Sequence, residues 1–144
     1  MRLACALLAI FSAFPAYAAE RMAGPVEAEV VRVVDGDTLV ARARIWLGQT
    51  VETHVRLAGI DAPELRGKCL SEKERARAAR DALARLVGEG PVMLADIESD
   101  KFGGRVLARV RTSQSQDVAT AMIAEGYARA YAGGRRMGWC GAPG

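Results

Sequence analysis

The sequence has few of the residues that build zinc sites or histidine-based catalytic sites. Its 144 residues include one histidine, His54, and three cysteines, of which Cys5 lies in an apolar N-terminal stretch. Two further cysteines are too few for a four-cysteine zinc site, and a single histidine excludes a histidine-rich one. A metal bound by this chain should therefore have oxygen ligands, which Ca²⁺ and Mg²⁺ prefer.

Long apolar runs and a strong excess of one charge are also missing. The formal net charge is +3, which is too small to indicate nucleic-acid binding by itself. The apolar run from Leu3 to Phe14 is shorter than the roughly 20 residues that a membrane span requires, and Pro15 ends it. With 51% hydrophobic and 26% charged residues, the composition is typical of a globular domain.

The N-terminus has the pattern of a signal peptide. Arg2 supplies a positive start, the apolar run follows, and Ala16-Tyr17-Ala18 is a small-x-small cleavage site. We predict that residues 1–18 are a signal peptide and that residues 19–144 form one domain. The expected product is an exported monomer, periplasmic or secreted, with no membrane anchor after cleavage.

Short strand patterns separated by turn signals follow the predicted cleavage site. The patterns predict strands at residues 26–34, 38–47, 51–60, 91–97 and 105–111, and helices at 71–87 and 117–126. Ser71 and Glu74 are expected to form a capping box for the first helix. A helix between the third and fourth strands and a short helix after the fifth predict an all-β barrel with helices (α+β), the OB-fold. A βαβ fold would need more regular alternation of strand and helix.

Two carboxylates are placed to share a cation at one end of the predicted sheet. Asp37 follows the turn between the first two strands, and Asp61 lies at the end of the third. Because the third strand pairs with the second, these side chains can meet, and carboxylates without histidine suit Ca²⁺. Glu64 is a further carboxylate that can accept a proton from water.

Two arginines fit the same end of the sheet. Arg56 precedes Asp61 on the third strand, and Arg105 begins the fifth strand after Gly103-Gly104. Guanidinium groups bind the negative charge of a phosphoryl transition state through paired donors. A cation, a spare carboxylate and two arginines therefore predict phosphodiester hydrolysis. Each feature alone also fits an ordinary turn or a solvated strand face, but their combination in a compatible order does not.

Three motifs together carry a family resemblance. They are V-D-G-D-T at 34–38, R-L-A-G-I-D-A-P-E at 56–64 and D-K-F-G-G-R at 100–105. From about Val26 to Tyr131 the chain resembles the staphylococcal nuclease (thermonuclease) family, whose domain is an OB-fold. The resemblance implies Ca²⁺-dependent endonucleolytic cleavage of DNA and RNA that leaves 3′-phosphates.

The resemblance also implies roles for individual residues. The implied metal ligands are Asp37, Asp61 and the backbone carbonyl of Ala62, with Asp35 as a neighbouring acid. The implied catalytic residues are Glu64 as general base and Arg56 and Arg105 as phosphate ligands. The sequence has one glycine more than the shorter form of the third motif, which leaves open whether Arg105 is displaced.

Further residues are candidates for substrate contact. They are Lys101, Phe102, Tyr127 and Tyr131. The tyrosines can stack on bases, but packing in the core or at its rim is the alternative. Gly133-Gly134-Arg135-Arg136 is interpreted as a flexible basic segment, with a substrate clamp as one alternative.

Cys69 and Cys140 remain after signal cleavage, and export places them in an oxidising compartment. We predict an intramolecular disulfide between them; the alternatives are two free thiols or an intermolecular bridge.

Two other functions compete with a nuclease. A catalytically silent OB-fold module would bind nucleic acid or another polyanion, whereas a structural calcium-binding protein would leave both arginines without a role. The complete set of carboxylates and arginines favours the enzyme.

Overall fold

The computed structural model describes residues 19–141, so the predicted signal peptide lies outside the described residues. The strands are β1 Arg21–Met22, β2 Val26–Asp35, β3 Thr38–Trp46, β4 Gln49–Leu57, β5 Ile60–Asp61, β6 Val92–Ser99, β7 Arg105–Thr112 and β8 Arg129–Ala130. The helices are α1 Leu70–Val87 and α2 Val118–Ala124. Between residues 19 and 141 no helix is both long enough and apolar enough to cross a membrane.

Five of the strands form a closed mixed barrel. β2, β3 and β4 are an antiparallel meander, and β4 pairs in parallel with β7. β6 pairs antiparallel with both β7 and β2, which closes the ring. The parallel pair needs a long connection, which α1 and β6 supply. The predicted OB-fold, with a helix between its third and fourth barrel strands, is confirmed.

The core lies inside the barrel and beneath α1. Alternate strand positions place Leu39, Val55 and Leu94 almost completely out of solvent, as the period of a strand requires. On α1 the buried positions include Ala76, Ala79 and Leu83, which share one helical face.

Gly36 allows α1 to approach the turn between β2 and β3. A Cβ at this position would lie 2.6 Å from the Cβ of Ala79 and 2.8 Å from the Cβ of Ala62. Only a residue without a side chain fits between the helix and the loop after β5. Gly36 therefore sets the spacing between Asp37 and that loop.

The start of the first helix differs from the prediction. α1 begins at Leu70 with Cys69 as its N-cap residue, and no side chain caps it, so the capping box of Ser71 and Glu74 is wrong. The helix starts earlier than predicted, which puts Glu72 in its first turn. The Glu72 carboxylate accepts the N–H groups of Lys68, at 3.1 Å, and Glu64, at 3.4 Å. The glutamate that binds backbone N–H groups ahead of the helix is therefore Glu72, not the predicted Glu74.

The predicted third strand, 51–60, is also corrected. β4 ends at Leu57, and Gly59, with φ +83°, turns the chain. Ile60 and Asp61 form the separate strand β5, which pairs antiparallel with β8. The sequence did not indicate β8, because two residues are too few to show a strand period.

Two other predicted elements have different outcomes. The predicted second strand, 38–47, is observed as β3, which ends one residue earlier at Trp46, and Ile45 and Leu47 are 47% and 87% exposed because this end of the β3–β4 hairpin faces solvent. The second helix is confirmed, and the side chain of its N-cap residue Asp117 accepts the N–H of Thr120 at 2.9 Å.

Candidate functional site

A cleft of about 910 Å³ lies at one end of the barrel. It is bordered by the β2–β3 turn, the end of β4, the loop after β5, the start of β7 and the segment 131–141, which we call the tail. The predicted site residues that line it are Asp35, Arg56, Ala62, Glu64, Lys101, Phe102, Arg105 and Tyr131. The topology thus gathers side chains from distant parts of the sequence.

Asp37 connects three elements of the site. Its side chain is almost fully buried, and its Oδ1 accepts a hydrogen bond from Nη1 of Arg56 at 2.6 Å. The same oxygen accepts the hydroxyl of Thr38 at 2.9 Å, and Oδ2 accepts the N–H of Ala62 at 3.2 Å. Asp37 therefore fixes β4 and the loop after β5 against the β2–β3 turn.

Asp61 is the last residue of β5, lies beside Asp37 and is as deeply buried. Nη2 of Arg56 is 4.0 Å from Oδ1 of Asp61, so one guanidinium faces both aspartates. Oδ2 of Asp61 accepts the indole N–H of Trp139 at 3.1 Å. The structure brings together Asp37, Asp61 and Arg56, as the sequence predicts.

Negative charge is concentrated at this point. Oδ1 of Asp35 accepts the N–H of Asp37 at 3.1 Å. Burial, together with the charge of Asp37, raises the pKa of Asp35 to about 6. The raised pKa reflects the cost of placing several carboxylates in one partly dry region.

Arg105 lines the cleft from the start of β7, the strand that pairs with β4. Its Nε donates to Oδ2 of Asp100 at 2.6 Å, and its guanidinium lies 5.0 Å from the ring centroid of Phe102. Burial acts to raise the pKa of Asp100, but the N–H of Phe102 and the hydrogen bond and charge of Arg105 outweigh it, so the pKa is lowered.

The additional glycine before Arg105 is accommodated within the turn. Gly103 and Gly104 both have positive φ, at 67° and 66°, and β7 still begins at Arg105. Arg105 pairs in register with His54, and Leu107 with Arg56. The insertion therefore does not remove Arg105 from the cleft.

Glu64 lies at the rim of the cleft, and its side chain is 55% exposed. The backbone N–H of Glu64 donates a hydrogen bond to the buried carboxylate of Glu72. A Cβ at Gly67 would lie 2.4 Å from Cδ of Glu72, so the glycine lets the loop 64–68 close over this carboxylate. Sequence reasoning missed Glu72 because a glutamate in a first helical turn is ordinary.

Arg136 was predicted only as part of a flexible basic segment, with a substrate clamp as one alternative, yet its guanidinium lies among the carboxylates. It donates to Oδ1 of Asp61 through Nε and to Oε1 of Glu64 through Nη1, the latter at 2.5 Å. Its Nη2 also pairs with Asp61 and is 3.7 Å from Oδ2 of Asp37. Burial acts to lower the pKa of Arg136, but the hydrogen bond and charge of Asp61 and the charges of Asp37 and Glu64 raise it overall. The only signal in the sequence was the basic pair after two glycines.

The predicted substrate-contact residues divide into two groups. Lys101, Phe102 and Tyr131 line the cleft, and Phe102 is 70% exposed. Tyr127 does not line it: its ring packs against the core, with the guanidinium of Arg85 6.0 Å from the ring centroid. For Tyr127 the structure shows the packing alternative, because the chain after α2 turns this residue toward the helices.

The predicted disulfide between Cys69 and Cys140 is present, with a Cα–Cα distance of 6.0 Å. It joins the start of α1 to the tail. Next to it Trp139 is buried, with the guanidinium of Arg129 3.6 Å from its ring centroid. Cys69, Glu72 and Cys140 offer ligand-type atoms within 4.8 Å of one another, but the two sulfurs are bonded to each other and are not free to ligate a metal.

The carboxylate cluster has the chemistry of a Ca²⁺ or Mg²⁺ site. Its donors are all oxygen atoms, which hard divalent cations prefer. The guanidinium of Arg136 lies between Asp61, Glu64 and Asp37, which shows that the cluster accommodates positive charge there. The residues present therefore fit a divalent cation held by Asp37, Asp61 and the carbonyl of Ala62.

A closed barrel whose end carries clustered carboxylates and arginines defines a nuclease-like OB-fold domain. The family model described as staphylococcal nuclease homologue matches residues 54–137, more than half of the chain, and the chain belongs to that family. The match includes Arg56, Asp61, Glu64 and Arg105, whereas Asp37 precedes it. A search of curated proteins finds no match.

Proposed function

We propose that this protein is an exported, Ca²⁺-dependent endonuclease that hydrolyses phosphodiester bonds of DNA and RNA. The observation that carries the proposal is the position of Arg56, which lines the same cleft as Arg105 while its guanidinium contacts the buried Asp37 and faces the buried Asp61. The residue proposed to bind phosphate thus contacts one proposed cation ligand, Asp37, and faces the other, Asp61.

The proposed division of labour follows from the donors available. Asp37, Asp61 and the carbonyl of Ala62 would hold the divalent cation, which when bound polarises a phosphoryl oxygen and orients water. Arg56 and Arg105 donate to phosphate oxygens from the neighbouring strands β4 and β7, where charge accumulates as the bond breaks. Glu64, exposed at the rim, accepts the proton of the attacking water.

The proposed reaction forms a bond between the water oxygen and phosphorus and breaks the bond from phosphorus to O5′. One water proton passes to Glu64, and O5′ takes up a proton from solvent, which leaves a 3′-phosphate and a 5′-hydroxyl. The arginines contact phosphate, which DNA and RNA share, so both polymers are proposed substrates. The exposed ring of Phe102 and the partly exposed ring of Tyr131 offer surface for base stacking in the same cleft.

Export is supported by the N-terminal sequence pattern and by the disulfide. Disulfides form in oxidising compartments such as the periplasm or the exterior of the cell. We place the protein there after signal cleavage, as a monomer.

The test is a cleavage assay on DNA and on RNA in Ca²⁺, in Mg²⁺ and in chelator. We expect cleavage in Ca²⁺ and none in chelator. Glu64→Gln should lower the rate by roughly 10²–10⁴-fold, the usual contribution of proton transfer, whereas the exposed Glu125→Gln serves as the control and should match the wild type. Nucleic-acid binding without cleavage in any metal would instead identify the silent module, and undiminished cleavage in chelator would exclude the proposed cation.

A further inference from the structure

Both carboxylate oxygens of Asp61 are bound by residues of the tail. Oδ1 accepts hydrogen bonds from the guanidinium of Arg136, and Oδ2 accepts the indole N–H of Trp139 at 3.1 Å. The same guanidinium binds Glu64 and is 3.7 Å from Asp37. Each carboxylate oxygen of Asp61 therefore already has a partner in the tail.

A guanidinium and a divalent cation cannot use the same carboxylate oxygens from the same side. The two are both positive, and at such short distances their repulsion in a partly buried site is large. Binding a cation between Asp37 and Asp61 therefore requires that the guanidinium of Arg136 first leave Oδ1 of Asp61.

We propose that Arg136 is a further residue of the cation site, an internal competitor whose guanidinium exchanges with the divalent cation on Asp61 and Glu64. This inference rests on the proposed cation site. The measured affinity for the cation then depends on how much more strongly the carboxylates bind the cation than they bind the guanidinium of Arg136.

The disulfide keeps the competitor close. Cys140, four residues after Arg136, is bonded to Cys69 at the start of α1. Four extended residues span at most about 14 Å, so a displaced Arg136 stays near the cleft. A tethered group rebinds at a high effective concentration, which makes it a stronger competitor than the same group on a free chain end.

The experiment is a calorimetric titration of Ca²⁺ into the exported protein after metal has been removed. Arg136→Gln is compared with wild type and with Arg135→Gln, which removes the same charge from the exposed neighbouring position. We expect Arg136→Gln to bind Ca²⁺ roughly three- to tenfold more tightly, as the loss of a partly exposed charge pair implies. Arg135→Gln should match the wild type. Arg136→Lys keeps the positive charge but loses the planar guanidinium, so its affinity for Ca²⁺ should lie between those of the wild type and Arg136→Gln.

Each other result counts against the competitor. Equal affinities in wild type and Arg136→Gln, or weaker binding by the variant, would overturn it and leave the proposed function in place. Equal tightening by Arg135→Gln would also overturn it, because the effect would then be one of general charge. Absence of Ca²⁺ binding in every protein would overturn the proposed cation site together with the competitor. Circular dichroism of each variant verifies that it is folded.

Discussion

The guanidinium of Arg56 lies 2.6 Å from Oδ1 of Asp37, and both side chains are nearly buried. This pair joins the end of β4 to the β2–β3 turn. It gives Arg56 two functions, because the same side chain neutralises a buried carboxylate and faces the cleft where a phosphate would bind.

Arg56→Gln should therefore reduce both stability and activity. Removing Arg56 leaves the buried carboxylate of Asp37 with only the more distant guanidinium of Arg136 as a charge partner, and breaking a buried ion pair typically costs about 3–5 kcal/mol in the free energy of unfolding. Loss of a positioned donor to the transition state should lower kcat by roughly 10²-fold or more. Urea denaturation and cleavage kinetics check the two effects separately. Arg42→Gln, on the exposed pair with Glu52, is the control and should change both little.

Arg105→Lys should be severe for activity but mild for stability. Lysine keeps the charge and loses the planar fork that binds a phosphate through two donors. Cleavage rates at saturating substrate should fall by roughly 10²-fold, an effect of the size seen when one transition-state donor is removed. Near wild-type turnover in a folded Arg105→Lys protein would show that Arg105 does not contact the reacting phosphate.

Gly36→Ala should disturb the site through packing. Its Cβ would meet the Cβ atoms of Ala79 and Ala62 at 2.6 and 2.8 Å, so α1 or the loop after β5 must move. We expect a loss of about 1–3 kcal/mol in the free energy of unfolding and a lower rate of cleavage. Gly90→Ala is the matched control, since its Cβ would have no neighbour closer than 3.4 Å. Equal effects of both substitutions would contradict the steric explanation.

The ion pair between Asp100 and Arg105 should make stability fall in acid. The pKa of Asp100 is below its ordinary value of 3.8 in the folded protein, so folding favours the charged carboxylate. The stabilisation is present above pH 3.8 and is lost as the pH falls through the lower, folded-state pKa. Asp100→Asn should remove this part of the pH dependence, measured as the free energy of unfolding between about pH 2 and 6, the range in which carboxylates titrate. Asp81→Asn, at an exposed position of α1, is the control and should leave this pH dependence unchanged.

Reduction of the disulfide should lower the melting temperature. The bond joins residues 71 apart, and closure of such a loop is worth about 4 kcal/mol in the chain-entropy model. Because no candidate catalytic group is removed, the reduced protein should retain cleavage activity at temperatures where it stays folded. Intact mass after alkylation without reductant tests the bond itself, and two alkyl adducts on the native protein would show free thiols.

The sequence predicted the parts of the molecule that have a repeating pattern or a spaced motif. Strand alternation located the barrel strands, and the position of one helix between them defined the OB-fold. The pairing of strands then explains why Asp37, Asp61 and Arg56 lie together. The predicted disulfide followed from the number of cysteines that would remain after the predicted signal cleavage.

The features that were missed depend on contacts between segments with no pattern of their own. Arg136 reaches Asp61 because β8 pairs with β5 and because Cys140 is bonded to Cys69, and neither contact leaves a local signal. Glu72 binds the loop ahead of its own helix because that helix begins at Leu70. The position of Tyr127 was open in the sequence, since base stacking and core packing both suit an aromatic ring.

The order of segments along the chain has a consequence for biosynthesis. The last strand of the barrel, β7, ends at Thr112, whereas β8, Trp139 and Cys140 come later. A nascent chain emerging from the ribosome therefore presents all five barrel strands before the tail that binds Asp61. No residue of the tail takes part in the strand pairing of the barrel. The contacts of Asp61 with the tail can therefore form only after the barrel strands have been synthesised.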